Sequence, residues 1–121
     1  MEMYKKIALV ESAKDREDII DEFCDRFGDM PLSVRRLVDV ALTKALAERA
    51  GIKKVEVRDG RISFLQEKPR LDIWSELFAQ FPRLSFLGVG SPLIVYKLHR
   101  SEEPCELCAK ILSRYVELME E

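Results

Sequence analysis

Apolar positions along the chain change period twice, and the changes divide it into helical and extended stretches. Residues 2–10 carry Met3, Tyr4, Ile7 and Leu9 as a short helical stripe. A helix of about nine residues is marginal alone, so this segment is expected to dock on the rest or to be the remnant of a longer connecting helix. Ser12 suits an N-cap, with Asp15 complementing the helix N-terminus, and the next helix runs to Phe27. Its apolar stripe is Ile19, Ile20, Phe23, Cys24 and Phe27; Gly28 suits the left-handed position after it. Pro31 opens a third helix at a point where its missing N–H costs nothing, with Val34, Leu37, Val38, Ala41, Ala45 and Leu46 as the buried face. Gly51 ends it, and Ile52 is the hydrophobic residue expected to pack back.

The period then becomes two. Val55 and Val57 alternate with charges, Asp59-Gly60 signals a type I′ turn, and Ile62 and Phe64 alternate again, so a β-hairpin is predicted. Pro69 starts a helix striped by Leu71, Trp74, Leu77, Phe78 and Phe81 and closed by Pro82. Leu84 to Leu87 and Leu93 to Leu98 read as strands flanking a Gly88-Val89-Gly90-Ser91 loop. A last helix from about Glu102 to Met119 carries Leu107, Cys108, Ile111, Leu112, Tyr115, Leu118 and Met119. Helices bunched at one end, a hairpin, a helix, two further strands and a C-terminal helix predict an α+β fold around a small, mainly antiparallel sheet. Trp74, Phe78, Leu112 and Tyr115 should be buried on facing stripes.

Composition narrows the function. At 121 residues the chain fits one domain with its own core, residues 1–121. Apolar residues make up 47% and charged residues 35%, which excludes a disordered chain. The net charge of −2 argues against strong phosphate-driven binding of nucleic acid. No apolar run approaches a membrane span, and no signal peptide precedes the first helix, so a cytoplasmic protein with reduced cysteines is expected.

Catalytic constellations fail one by one. His99 is the one histidine, on a basic edge, with no nucleophile elbow in the sequence. Gly88-Val89-Gly90 lacks the third glycine and the lysine of a phosphate cradle, so no nucleotide binding is expected. Cys105-Glu106-Leu107-Cys108 sits in the first turn of the last helix, where a thiol pKa can be lowered. Yet no thioredoxin-like pattern surrounds it, and only Cys24 and His99 remain to complete a four-ligand zinc site. The pair is therefore expected to fill small spaces near the core rather than to carry redox or metal chemistry. Acidic residues lie on solvated faces beside bases, Glu22 with Arg26 for example, and none is expected to interrupt an apolar stripe. Arg35-Arg36, Lys53-Lys54 and Lys97 to Arg100 form short basic clusters without interleaved aromatics, so a stacking platform for single strands is not built.

One stretch carries a resemblance. Glu22-Phe23-Cys24-Asp25-Arg26-Phe27-Gly28-Asp29-Met30-Pro31 resembles a signature of the bacterial transcription-repair coupling factor family, in which a helix ends in Asp-Arg-Phe-Gly with a proline shortly after. Tyr4-Lys5-Lys6-Ile7 is similar to the Tyr-Lys-Arg-Ile helix before it, and Leu37 to Ile52 to the long helix ending in Gly-Ile before a hairpin. The similarity covers about residues 2–65; beyond them only the order of elements agrees. Cys24 departs from the family's usual branched aliphatic residue. The resemblance implies a non-catalytic C-terminal regulatory domain of a multi-domain, ATP-driven DNA translocase that removes stalled RNA polymerase and recruits excision repair through UvrA. Cofactors, ATP and magnesium, are implied only for motor modules elsewhere in such a protein. The resemblance further implies docking on a UvrB-like module, masking its UvrA-binding surface. Within the motif the residues are Asp25, Arg26, Phe27, Gly28 and Pro31. The interdomain contact is expected on the polar face of the second helix, Glu22 at its centre with Asp18, Asp21 and Asp25 around it. The alternative is an accessory domain that binds nucleic acid through the basic clusters.

Overall fold

The computed structural model describes residues 2–86 and 92–121, so the Gly88-Val89-Gly90-Ser91 loop lies outside the described residues. The elements are α1 (Glu2–Ala8), α2 (Ala13–Phe27), α3 (Leu32–Ala50), β1 (Lys54–Arg58), β2 (Arg61–Leu65), α4 (Leu71–Gln80), β3 (Leu84–Phe86), β4 (Leu93–Lys97) and α5 (Pro104–Glu120). This is the α+β order read from the sequence. One sheet carries the four strands in the order β1-β2-β4-β3, every neighbouring pair antiparallel.

Local chemistry sets the boundaries. Ser12 Oγ accepts from the Asp15 N–H at 3.1 Å, capping an orphan donor of the first turn of α2, and Asp15 Oδ2 accepts from the Glu11 N–H at 3.1 Å, holding the chain just before the cap. Pro31 stands one position earlier than predicted, as the N-cap of α3 rather than its first residue. Gly51 is left-handed (φ 74°, ψ 24°), and the Ile52 N–H closes back on the Ala47 carbonyl at 2.9 Å, burying Ile52. Gly28 has φ 83° but ψ −153°, a positive-φ turn outside the left-handed helical well that was expected. Asp59 and Gly60 both have positive φ, as a type I′ hairpin requires. α4 begins at Leu71, two residues after Pro69, and α5 at Pro104, in its first turn.

Strand register decides the layers. Ile62 and Phe64 of β2, Ile94 and Tyr96 of β4, and Leu84 and Phe86 of β3 share the inner face. They join Val38, Leu42 and Leu46 of α3, Trp74 and Leu77 of α4, and Ile111, Leu112 and Tyr115 of α5 in one core cluster. Trp74, Leu112 and Tyr115 are fully buried as expected, and Phe78 is half-buried against the indole, ring centroids 6.4 Å apart. At the hub of this core Gln66 accepts from Trp74 Nε1 (2.8 Å) and donates to the Ala50 carbonyl (2.9 Å) and to Tyr115 Oη (3.0 Å).

Several predicted core positions lie outside it. On α1 and the turn after it the buried residues are Ile7 and Val10, while Tyr4 and Leu9 are exposed. On α2 only Ile19 is buried; Cys24 and Phe27, in its last turn, are exposed. On α3 Leu37 is 46% exposed and the buried row is Val38, Leu42 and Leu46, one position further round. The rotation brings Asp39 inward. Leu71 of α4 and Val57 of β1 are exposed as well.

Candidate functional site

The polar face of α2 is built as the period implied. With Ile19 facing the core, Asp18, Asp21 and Asp25 point to solvent, and among the described residues none of the three makes an ion pair. Glu22 differs. Lys6 of α1 lies 2.6 Å from its Oε1, and this hydrogen bond holds the carboxyl below its usual range, with Arg26 a minor electrostatic influence. The Glu22–Arg26 contact expected along the helix is therefore replaced by a bond between helices. The motif residues Asp25, Arg26 and Phe27 stand exposed at the end of α2, Phe27 with its ring 5.1 Å from that of Phe23, while Gly28 and Pro31 shape the corner into α3.

Behind this face is an acid the sequence reading missed. Asp39 is fully buried; its Oδ1 accepts from Arg16 Nε at 2.5 Å, and its Oδ2 has no hydrogen-bond partner among the described residues. The hydrogen bond to Asp39 raises the Arg16 pKa against the opposing effect of burial. The pair ties α2 to α3 and contradicts the expectation that no acid interrupts an apolar stripe. The signal was Asp39 between Val38 and Val40 on a helix whose next buried residue is Leu42. A spacing rule tuned to apolar residues reads the carboxylate as a gap in the stripe rather than as part of it.

The three cysteines differ in exposure. Cys24 is exposed on α2, Cys105 half-buried and Cys108 buried. Burial pushes the Cys108 thiol up to about 12, and burial and then Glu103 raise that of Cys105, the reverse of what an attacking thiol needs. Among the described residues no group of three or more His, Cys, Asp and Glu side chains could hold a metal ion. His99 is exposed, its Nδ1 2.8 Å from Ser101 Oγ within one turn. The carboxylate beside it, Glu102, instead accepts from the His99 backbone N–H (2.7 Å) and the Tyr96 hydroxyl (2.7 Å). That pins the turn between β4 and α5 and orients no base. Of the basic clusters, Arg36 pairs with Glu103 (2.9 Å), Lys53 with Glu67 (2.8 Å) and Lys54 with Glu56 (2.9 Å). Among the described residues no helix is long and apolar enough to cross a membrane.

A sequence model of the TRCF domain matches residues 1–74, which takes in α1 to α3, the hairpin and the first residues of α4. The chain belongs to the TRCF domain family. Among TRCF relatives, the transcription-repair-coupling factor of Staphylococcus epidermidis is 38% identical over 82 residues, 66% of this chain and 7% of that protein. That of Escherichia coli is 33% identical over 76 residues, 61% of this chain and 7% of that protein. The chain thus spans only a small fraction of the length of these relatives. A crystal structure of the C-terminal domain of a transcription-repair coupling factor superposes with a TM-score of 0.76 at 21% identity, covering 98% of this chain and 78% of that one. The fold of a TRCF C-terminal domain therefore extends through β3, β4 and α5, beyond the segment in which the sequence itself matches.

Proposed function

We propose that this TRCF domain is a non-catalytic regulatory module that docks through the acidic face of α2 on a basic surface of a UvrB-like module and masks the surface that receives UvrA. In this reading the motor chemistry, with ATP and magnesium, and the contact with RNA polymerase belong to other modules. The observation that carries it is the row Asp18, Asp21 and Asp25, exposed and without ion pairs among the described residues, inside the segment that the family shares. Like charges on one helix face repel by a few tenths of a kcal/mol per pair unless something compensates them. A docked basic surface would do so, and the contact strengthens as water leaves it. The bond of Glu22 to Lys6 shifts the weight of the site from Glu22 to the three aspartates.

The experiment is calorimetric binding of the chain to an isolated UvrB-like module. The aspartates are reversed to lysine singly and together, and Glu22→Arg is made alongside. Loss of binding in the triple variant with the fold intact, and a rise in UvrA capture by an autoinhibited full-length relative carrying the same changes, are the expected results. Full-strength docking by the triple variant removes the α2 face from the mechanism.

A further inference from the structure

The face of the sheet turned away from the helices carries a feature that the separate basic clusters did not reveal. Arg58 is the register partner of Arg61, and Arg61 of Lys97. The Lys97 N–H in turn donates to the Arg83 carbonyl at 3.4 Å, one residue before Leu84 pairs with Tyr96. By alternation along each strand Arg58, Arg61 and Lys97 lie on the face opposite Ile62, Phe64 and Tyr96, while Arg83 stands in the turn before β3, at the edge of the sheet. All four are exposed. Three cations thus form a single row across the sheet, roughly 10 Å long at the usual interstrand spacing, with Arg83 as a fourth at its edge.

Like charges directly opposite one another destabilise a sheet, and the row is only partly neutralised. Glu56 and Asp59 each approach Arg58 to 3.9 Å, and Arg83 Nη1 lies 3.3 Å from the Lys97 carbonyl. Arg61 and Lys97, at the centre, make no ion pair among the described residues. The adjoining row holds Glu56, Ser63, Val95 and Ser85 in register, which adds two hydroxyl donors. Val95 is buried but stands outside the main core cluster.

We propose that this row binds the phosphodiester backbone of duplex nucleic acid. A linear set of cations flanked by hydroxyls matches a line of phosphates. The aromatic residues of the strands, Phe64, Tyr96 and Phe86, face inward by the same register, so unstacked bases find no platform and a single strand is disfavoured. An acidic protein surface would need an apolar anchor at its centre. Near the row this face offers no exposed one, since Val95 is buried and Leu65 and Leu93 lie at the far end of their strands. The net charge of −2 weakens such binding without abolishing it, because the acids of α2 belong to another element on the helical side. Contacts with three or four phosphates give weak, sequence-independent affinity with a log–log salt slope of about −3.

The test is fluorescence anisotropy of the whole chain with a labelled 20-base-pair DNA duplex between 20 and 200 mM salt, for the native chain and for Arg61→Gln/Lys97→Gln. Exposed glutamines preserve the fold, which circular dichroism checks; Arg61→Lys/Lys97→Arg serves as the charge-preserving control. The expected result is binding that weakens with a slope near −3. The double glutamine variant should lose tenfold or more at 50 mM salt and lower the slope by about 2, while the control keeps both. No binding at 20 mM salt, or binding indifferent to the double variant, overturns the proposal. So does a polyglutamate peptide that competes as well as duplex at equal charge, since the row would then be a site for acidic protein.

Discussion

Among the described residues two buried polar side chains stand on opposite terms, Gln66 and Asp39. Gln66 is neutral and bonded on both ends of its amide: Trp74 to the oxygen, Tyr115 and the Ala50 carbonyl to the nitrogen. It links the end of α3, the end of β2, α4 and α5. Asp39 is a carboxylate with a single bond, to Arg16, whose side chain reaches it from a site 17% exposed, and with one oxygen left over. The difference teaches that polar groups in one core can serve distinct ends. A satisfied neutral hub fixes geometry among many elements at little cost. A buried charge held by one partner ties just two elements, and its value rests wholly on that partner.

The comparison can be broken by removing what each centre leans on. Trp74→Ala deletes a fully buried indole and the donor to Gln66 together, and should cost about 3–5 kcal/mol in denaturant unfolding. A loss under about 1 kcal/mol would mean that the core closes over the gap and that the hub does not depend on the indole. Arg16→Ala strands the Asp39 carboxylate and should cost about 3 kcal/mol, the low end of the range for a broken buried pair because water can follow the lost side chain. Arg16→Leu with Asp39→Leu should recover nearly all of that loss, since two apolar groups need no partner. If the double variant is as unstable as Arg16→Ala, the pair contributes more than mutual compensation.

Gln66→Leu sharpens the other side. It keeps volume but leaves the Trp74 N–H without its acceptor and the Tyr115 hydroxyl without its donor, and should cost about 1–3 kcal/mol. Burial already raises the Tyr115 phenol, and the Gln66 bond partly offsets that rise. Losing the bond should move its ultraviolet titration further upward. A downward movement would show that water has entered the hub.

Element types and order were legible because each helix and strand carries its own period, and because Ser12, Gly51, Asp59-Gly60 and Pro104 mark ends by backbone chemistry that is local. The acidic face of α2 followed from the same period. Coverage was not legible: Phe27 and Leu37 lie on apolar stripes yet are exposed, since how far a neighbouring helix extends depends on contacts distant in sequence. Asp39 went unseen for the same reason, as its partner Arg16 lies 23 residues away. The cation row was invisible for a stronger one. Arg58, Arg61, Arg83 and Lys97 become neighbours only through strand register, and β2 pairs with β4 across an intervening helix and strand.

The smallest effect is expected at the surface counterpart of the buried pair. Lys6–Glu22 has a geometry as close as Arg16–Asp39, 2.6 against 2.5 Å, but both side chains are open to water, at 44% and 34%. Solvent screens such a pair and ordering two long side chains offsets its attraction. Glu22→Gln should therefore lower the melting temperature at neutral pH only slightly, by far less than Arg16→Ala. What it should alter is the acid limb. Lys6 depresses the Glu22 pKa in the fold, so the stability it contributes is present above the ordinary carboxylate pKa and is lost as pH falls through the lower folded value. The native chain and Glu22→Gln should then differ by a small margin at neutral pH that vanishes in acid, and that shrinks at high salt throughout. Should Glu22→Gln instead cost as much as Arg16→Ala, distance rather than burial would govern the strength of these pairs, and the contrast drawn between Asp39 and Gln66 would lose its physical basis.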